Sequence, residues 1–350
     1  LVLNLVAIPI LSFVLMPALF LSVLLGLLTD WYAFIVLYDL PLTYIYQMLQ
    51  AIPQHIRWLN VGQVSITTVV LLYSAVPLLY FIELRLLACI PLLTLLFNHY
   101  FTQTSLWRLN VFDVGHGLMV LIEKDKHAFI YDFGPSYFNR FSRVPSVLLP
   151  YIDAHNLTVS TAIVSHQDND HAGGLAHFKA AGYAWSFDYF HPSGVYNDCI
   201  ATTIDFQGLS IQTFAKEEFN NSNDNSCVVK ISSANHSVLL TGDISKARES
   251  KLIKKGDDLQ STVLLSPHHG SDSSSSVEFI KAVNPTFVIH SSAYQGQWQF
   301  PSKAVVKRYS EIHAKQYSTG DVGQIRVDFY AKHLELSTAR GAESYWFIKD

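Results

Sequence analysis

The sequence predicts an α/β protein. Its expected form is a four-layer αββα sandwich, two sheets face to face with helices outside, preceded by an all-α bundle suited to a membrane. Three observations predict it. Charge is segregated: up to Gln103 the chain holds only Arg57, Arg85, Asp30, Asp39 and Glu83, which leaves 22 of the 24 Lys and Arg residues and 25 of the 28 acids beyond. Hydrophobic periodicity changes near Ser105, from long uncharged runs to short apolar runs punctuated by turn residues. Those short runs come in two batches with helical patterns alongside, as two packed sheets require. Residues 1–103 are therefore expected to be membrane helices, and residues 104–350 a soluble unit.

Three stretches of the first part approach the roughly 20 apolar residues that cross a bilayer. Leu5 to Leu28 is uncharged, with Pro9 and Pro17 expected to kink it; Ser65 to Ile82 contains Pro77; Leu86 to Phe97 spans only if Asn98–Phe101 enters the interface. Between the first two, Asp30–Gly62 carries Trp31, Trp58 and many Tyr, suited to an interfacial or re-entrant segment. Neighbouring helices satisfy the carbonyls that proline frees, so a packed bundle is expected. Arg85 lies in the short turn between the second and third stretches, which the positive-inside tendency places in the cytoplasm, with the soluble unit one crossing away on the outside. The chain opens on Leu inside an apolar run, which points to a fragment of a longer membrane protein. Cys89 lies in an apolar segment, and Cys199 and Cys227 can pair only if the fold brings them close.

In the second part, Leu106–Asp113, Leu118–Glu123 and His127–Phe133 have the pattern of strands, followed by a helix over Pro145–His155 and a buried strand, Thr161–Ser165. Further strands are expected at Ala184–Phe190, Leu209–Phe214, Ser226–Ser232 and Ser237–Thr241. Helices at Lys246–Lys255, Ser276–Val283 and Lys303–His313 then alternate with strands at Thr262–Ser266, Thr286–His290 and Val322–Phe329.

The chemistry concentrates at strand ends. His166-Gln167-Asp168-Asn169-Asp170-His171 sets four candidate metal ligands within six residues, and mixed imidazoles and carboxylates suit a pair of divalent cations better than one structural zinc. Gly173 and Gly174 follow, where backbone must approach something closely. Asp243 ends an apolar strand after Gly242, placed to bridge two cations. At Pro267-His268-His269-Gly270, neighbouring side chains on an extended chain point to opposite sides, so one ligand is expected of the pair. His268 is preferred, with His269 beside it or reaching substrate. Asp113-Val114-Gly115-His116-Gly117 and Tyr131-Asp132-Phe133-Gly134 look like scaffolding, with Asp132 placed to orient a ligand His through its other ring nitrogen.

Together these motifs, with Asn225-Ser226, Thr241-Gly242-Asp243 and Pro267-His268-His269-Gly270-Ser271, resemble the metallo-β-lactamase superfamily. They resemble most the C-terminal domain of the ComEC family, membrane channel proteins of bacterial DNA uptake. The apolar run ahead of the domain resembles the end of that family's membrane-embedded competence region. The resemblance implies two divalent metal ions, Mn²⁺ or Zn²⁺. His166 and Asp168 would hold one with Asp243; Asp170 and His171 would hold the other, with Asp243 bridging and His268 closing. Asp170 would also orient the attacking water, and His269 and Ser271 would contact phosphate. Asp168 stands where much of the superfamily has His, and an oxygen-richer pocket favours Mn²⁺. His177, His191 and His236 stand in no recognisable motif. In relatives the first motif usually ends Gly-Asp, whereas this chain has Gly117-Leu118.

The implied function is DNA uptake in natural transformation, with the domain a nuclease that hydrolyses phosphodiesters of the non-transported strand. The implied setting is multi-pass in the bacterial inner membrane, with the hydrolase domain periplasmic. Expected partners are single-stranded DNA, membrane lipid, the remainder of the channel protein and other DNA-uptake components, with homo-oligomerisation left open. The soluble part has a slight acidic excess, not the basic surplus of a strong nucleic-acid binder. Basic clusters at Lys246/Arg248/Lys251/Lys254/Lys255 and Lys303/Lys307/Arg308 fit solvated helix faces, and Tyr294 and Trp298 are candidate stacking platforms that could equally be core. Two other readings stay open. One is a degenerate DNA-guiding domain, suggested by Leu118; the other is a membrane-tethered hydrolase of another phosphodiester.

Overall fold

The computed structural model describes residues 11–29, 66–80, 105–138, 140–182, 199–215 and 219–341, with isolated positions between 43 and 94. The chain divides into two compact units, Leu1–Ile66 and Thr67–Asp350. In the first, a π-helical turn over Leu11–Leu15 runs into an α-helix over Met16–Thr29. Pro17 accounts for the widened turn, since it offers no N–H to the carbonyl four residues back and its ring crowds that carbonyl. Ser12–Thr29 is, among the described residues, the one helix long and apolar enough to cross a membrane. Its buried positions are Ser22 and Gly26, one turn apart, while Phe13, Phe20, Leu24 and Leu28 are exposed. Along this helix small residues are packed inward and bulky apolar ones face outward.

A second helix has 15 described residues, Ile66–Tyr80, within the span expected at Ser65–Ile82. Most of the interfacial region expected at Asp30–Gly62, part of the third span and the strand expected at Ala184–Phe190 lie outside the described residues.

Two sheets form the rest. The first runs in the order Leu334–Thr338, Ile325–Phe329, Trp107–Val111, Met119–Lys124, His127–Phe133 and Thr158–Ile163, with only the last pair parallel. The second runs Lys315–Ser318, Phe287–His290, Val263–Leu265, Ser237–Leu240, Val229–Ser232, Leu209–Thr213 and Thr202–Phe206, parallel over its first four strands and antiparallel after.

Period-two alternation makes the layers. Val120 and Ile122 face the core between the sheets, against Val238 and Leu240. Their neighbours Met119 and Leu121 turn outward, onto Leu148, Ile152, Leu175 and Phe178. On the far side Leu239 and Leu264 pack on Leu252, Phe279, Ile280 and Tyr309. A strand apolar on both faces must be covered on both, and the result is the αββα sandwich that the sequence predicts.

Helix bounds follow local chemistry. Lys246–Lys255 starts where the Ser245 hydroxyl accepts the Ala247 N–H at 3.2 Å and stops at Gly256, whose φ of 76° is left-handed. The helix expected over Pro145–His155 is split, with a π-helical turn at Val144–Leu148 and α-helix over Leu149–His155. Besides a small hairpin, Ser136–Tyr137 with Phe141–Ser142, three strands of the two large sheets have no counterpart in the sequence reading: Thr202–Phe206, Lys315–Ser318 and Leu334–Thr338. All three are sheet edges, where one side faces solvent and the apolar signal is diluted. Cys199 and Cys227 do meet, in a disulfide with a Cα–Cα distance of 5.5 Å.

Candidate metal centre

The strand Thr158–Ile163 delivers Val164, Ser165 and His166 to one edge of the sandwich. Asp168, with an extended backbone, then starts a short helix over Asn169–Ala172, so Asp170 and His171 emerge from its first turn. That helix lies close against the end of His127–Phe133. A Cβ on Gly174 would collide with the Phe133 carbonyl oxygen, and one on Gly173 would come within 2.5 Å of the Ser136 nitrogen. Glycine there is a packing requirement.

Asp132 fixes the orientation of this loop. It is fully buried, at a positive φ of 62° that a non-glycine residue adopts only under constraint. Its carboxylate accepts the Ser165 backbone N–H at 2.6 Å and the Ser165 hydroxyl at 2.7 Å. His171 Nδ1 donates to the same carboxylate at 2.7 Å, which turns Nε2 towards the cluster.

Around that nitrogen four donors converge. His171 Nε2 lies 3.0 Å from Asp243 Oδ1 and 3.3 Å from His269 Nε2, and His269 Nε2 lies 3.3 Å from Asp170 Oδ2 and 3.4 Å from Asp243 Oδ2. One ligand atom from each of Asp170, His171, Asp243 and His269 falls within 4.8 Å of all the others. Burial pushes the His171 imidazole down, but the Asp243 and Asp132 carboxylates outweigh it and hold the ring well above the ordinary histidine range. His269 is likewise raised to about 9, burial being overcome by Asp243 and by the hydrogen bond to Asp170. For both carboxylates burial acts upward and is overcome, at Asp243 by the His171 and His269 charges, at Asp170 chiefly by the His269 hydrogen bond and the His171 charge; both stay well below the usual range.

The pair at 268 and 269 differs from the sequence expectation. Both residues are left-handed, with φ of 51° and 56°, so the alternation of an extended chain does not apply. His269 is buried and joins the four donors. His268 stands at the rim, its Nε2 3.7 Å from Asp243 Oδ2 and its Nδ1 3.2 Å from the Ser273 hydroxyl. His166 is buried beside His171, ring centroids 4.3 Å apart, and its Nδ1 faces the Ser165 hydroxyl at 3.0 Å and that of Ser226 at 3.3 Å. Its Nε2 is buried without a hydrogen-bond partner, 3.5 Å from Asp168 Oδ2. An uncompensated imidazole nitrogen beside carboxylates is what a divalent cation satisfies, and the residues present fit such an ion.

Three contributors carried no signal of their own as site residues. His116, from the turn read as scaffolding, places Nε2 3.5 Å from Asp170 Oδ2. Ser165 and Ser226 hold His166, and a Cβ on Gly242 would come within 2.9 Å of both. The Leu118 side chain turns into the core between the sheets, while its N–H donates to the Asp170 carbonyl at 3.0 Å. Of the basic clusters, Arg248 is fully buried and donates to the Ala215 carbonyl, and Arg308 pairs with Asp272 and binds the Ser274 and Ser275 carbonyls.

Comparison with known proteins agrees with this geometry. Residues 112–184 match the metallo-beta-lactamase superfamily. The chain is 30% identical to Recombination protein 2 of Haemophilus influenzae, over 69% of this chain and 31% of that protein. It is 31% identical to the uncharacterized protein YcaI of Escherichia coli, over 67% and 31%, and 28% identical to Competence protein ComA of Neisseria gonorrhoeae, over 67% and 34%. It thus spans about a third of the length of these curated relatives. The chain belongs to the ComEC-type family of competence proteins and carries a metallo-β-lactamase-superfamily domain, the fold of a metal-dependent hydrolase.

Proposed function

We propose that this domain is a metal-dependent phosphodiesterase that degrades the DNA strand left outside during uptake, within a multi-pass protein of the inner membrane. The observation that carries the reading is the convergence of Asp170, His171, Asp243 and His269 from loops of both sheets. Asp170, His171, Asp243 and His269 would hold one divalent cation, and His166, Asp168 and Asp243 a second. Bound there, such ions neutralise charge on a phosphodiester and make water a nucleophile near neutral pH. The chain's own groups do the rest. Asp132 and Ser165 keep His171 and His166 in register, Asp170 is placed to align water, and His116 and His268 stand at the rim where phosphate oxygens would enter.

Leu118 removes nothing from this set, because position 118 faces the core, which favours the catalytic reading over a degenerate one. A disulfide between Cys199 and Cys227 supports an oxidising, extracytoplasmic placement, and the apolar helix Ser12–Thr29 supports membrane attachment. The relatives named for recombination and competence support DNA as the substrate. The test is Mn²⁺-dependent degradation of end-labelled single-stranded DNA by the chain, beside Asp170→Ala. Cleavage lost in the variant is expected. Retained cleavage in Asp170→Ala, or none by the parent with metal bound, overturns the reading.

A further inference from the structure

Beside the donor cluster lies a cleft of about 470 Å³, whose floor includes Asp170. Its walls are aromatic and amide: His116, Tyr137, Asn169, Gln297, Trp298 and Phe300. The volume suits a small-molecule-sized group. Rings lead out from the cluster in file. The His116 ring lies 4.8 Å from that of His269, 6.0 Å from Phe300 and 6.5 Å from Trp298. These are spacings at which π-faces interact. Trp298 is nevertheless 59% exposed, so its indole is not spent on the core. Tyr137 lines the same cleft, on a two-stranded hairpin of Ser136–Tyr137 and Phe141–Ser142 whose tip, Phe138, is also exposed.

Charge separates this cleft from an ordinary phosphate groove. Among the described residues that line it there is no Lys or Arg. Exposed aromatic and amide side chains lining one cleft, with no fixed cations, match the flat π-surface and polar edge of a nucleobase rather than a backbone phosphate. A base enters such a slot only when unpaired. We infer that the cleft is a nucleobase clamp, in which a base of single-stranded DNA stacks on Trp298, with Tyr137 lining the same slot, and so sets its neighbouring phosphodiester over Asp170 and His116.

This rests on the phosphodiesterase reading for its purpose but not for its test. Binding is measured by fluorescence anisotropy on the full chain with chelator present, so that no turnover occurs. The probes are a labelled oligothymidylate, an abasic strand of equal length and phosphate number, and the base-paired duplex. Stacking on one aromatic side chain makes the thymidylate bind about tenfold tighter than the other two. Trp298→Ala, and separately Tyr137→Ala, should remove most of that ratio and leave abasic binding and the melting temperature unchanged. Equal binding of thymidylate and abasic strands, or an unchanged ratio in Trp298→Ala, overturns the clamp. With Mn²⁺ added, abasic and normal strands cut at equal rates overturn it while leaving the phosphodiesterase reading in place. No cleavage of any DNA, with the thymidylate preference intact, overturns that reading and supports the clamp.

Discussion

Replacing Asp132 by Asn alters almost no volume, and the surrounding hydrogen bonds dictate the outcome. In the parent, one carboxylate oxygen faces the Ser165 backbone N–H at 2.6 Å, and the other faces the Ser165 hydroxyl and His171 Nδ1, both at 2.7 Å. An amide has one oxygen and one NH₂, and neither orientation satisfies this set. With its NH₂ towards Ser165 N–H, two donors oppose each other in a buried site, at a cost of about 1–3 kcal/mol. With its NH₂ towards His171, the proton leaves Nδ1 for Nε2, and the lone pair aimed at the cluster is gone. Loss of such a supporting partner typically lowers metal affinity by about 10- to 100-fold. Competition titration of Mn²⁺ or Zn²⁺ against a chromophoric chelator reads the affinity, and thermal melting with chelator reads the fold. The expected result is weakened metal binding in a chain that still folds. Metal affinity equal to the parent's would refute the claim that Asp132 sets the His171 tautomer.

Gly242→Ala should be more disruptive. Its φ of 54° disfavours any side chain, and the new Cβ would stand 2.8 Å from Ser226 and 2.9 Å from Ser165, both of which support His166. Overpacking of this kind costs about 1–3 kcal/mol, so a lowered melting temperature and lowered metal content are expected together; a melt at the parent's temperature counts against it. The metal-free chain should also respond to alkali. His269 titrates at about 9 in the fold against an ordinary 6.5, so its stabilising charge is fully present below pH 6.5 and is lost as pH rises through 9. The melting temperature with chelator should therefore fall between pH 6.5 and 9, while apparent metal affinity rises, since the ion displaces those protons. A flat melting profile over that window would contradict the ion-pair account.

The parts of the fold legible in the sequence were those with a strong local signal. His127–Phe133 and Lys246–Lys255 have the bounds their patterns predict, the first from a mostly apolar run after a charged turn, the second from a helical pattern. The edge strand Leu334–Thr338 is short and buries none of its few apolar residues fully, and the helix Asn169–Ala172 is a single turn held by tertiary contacts. The His/Asp loop and Asp243 were visible because chemistry-bearing residues crowd at strand ends. Which of His268 and His269 turns inward was not visible, because it depends on two left-handed residues that no local pattern announces. His116 was hidden for another reason. Its partner, Asp170, is 54 positions away and meets it only after both sheets have packed.

The donor cluster also has a mechanical meaning. Asp170 and His171 hang from the first sheet, and Asp243 and His269 from the second, yet the sheets share no backbone ladder and are held together mainly by side-chain packing. A cation gripped by all four would rivet one sheet to the other, since each ligand sits within eight residues of the end of a strand. Ion occupancy would then be coupled to the docking of the two halves of the sandwich: an ion at about 100 times its Kd adds roughly 2.7 kcal/mol to that docking. Stripping it would loosen the joint along the edge that carries the donor cluster.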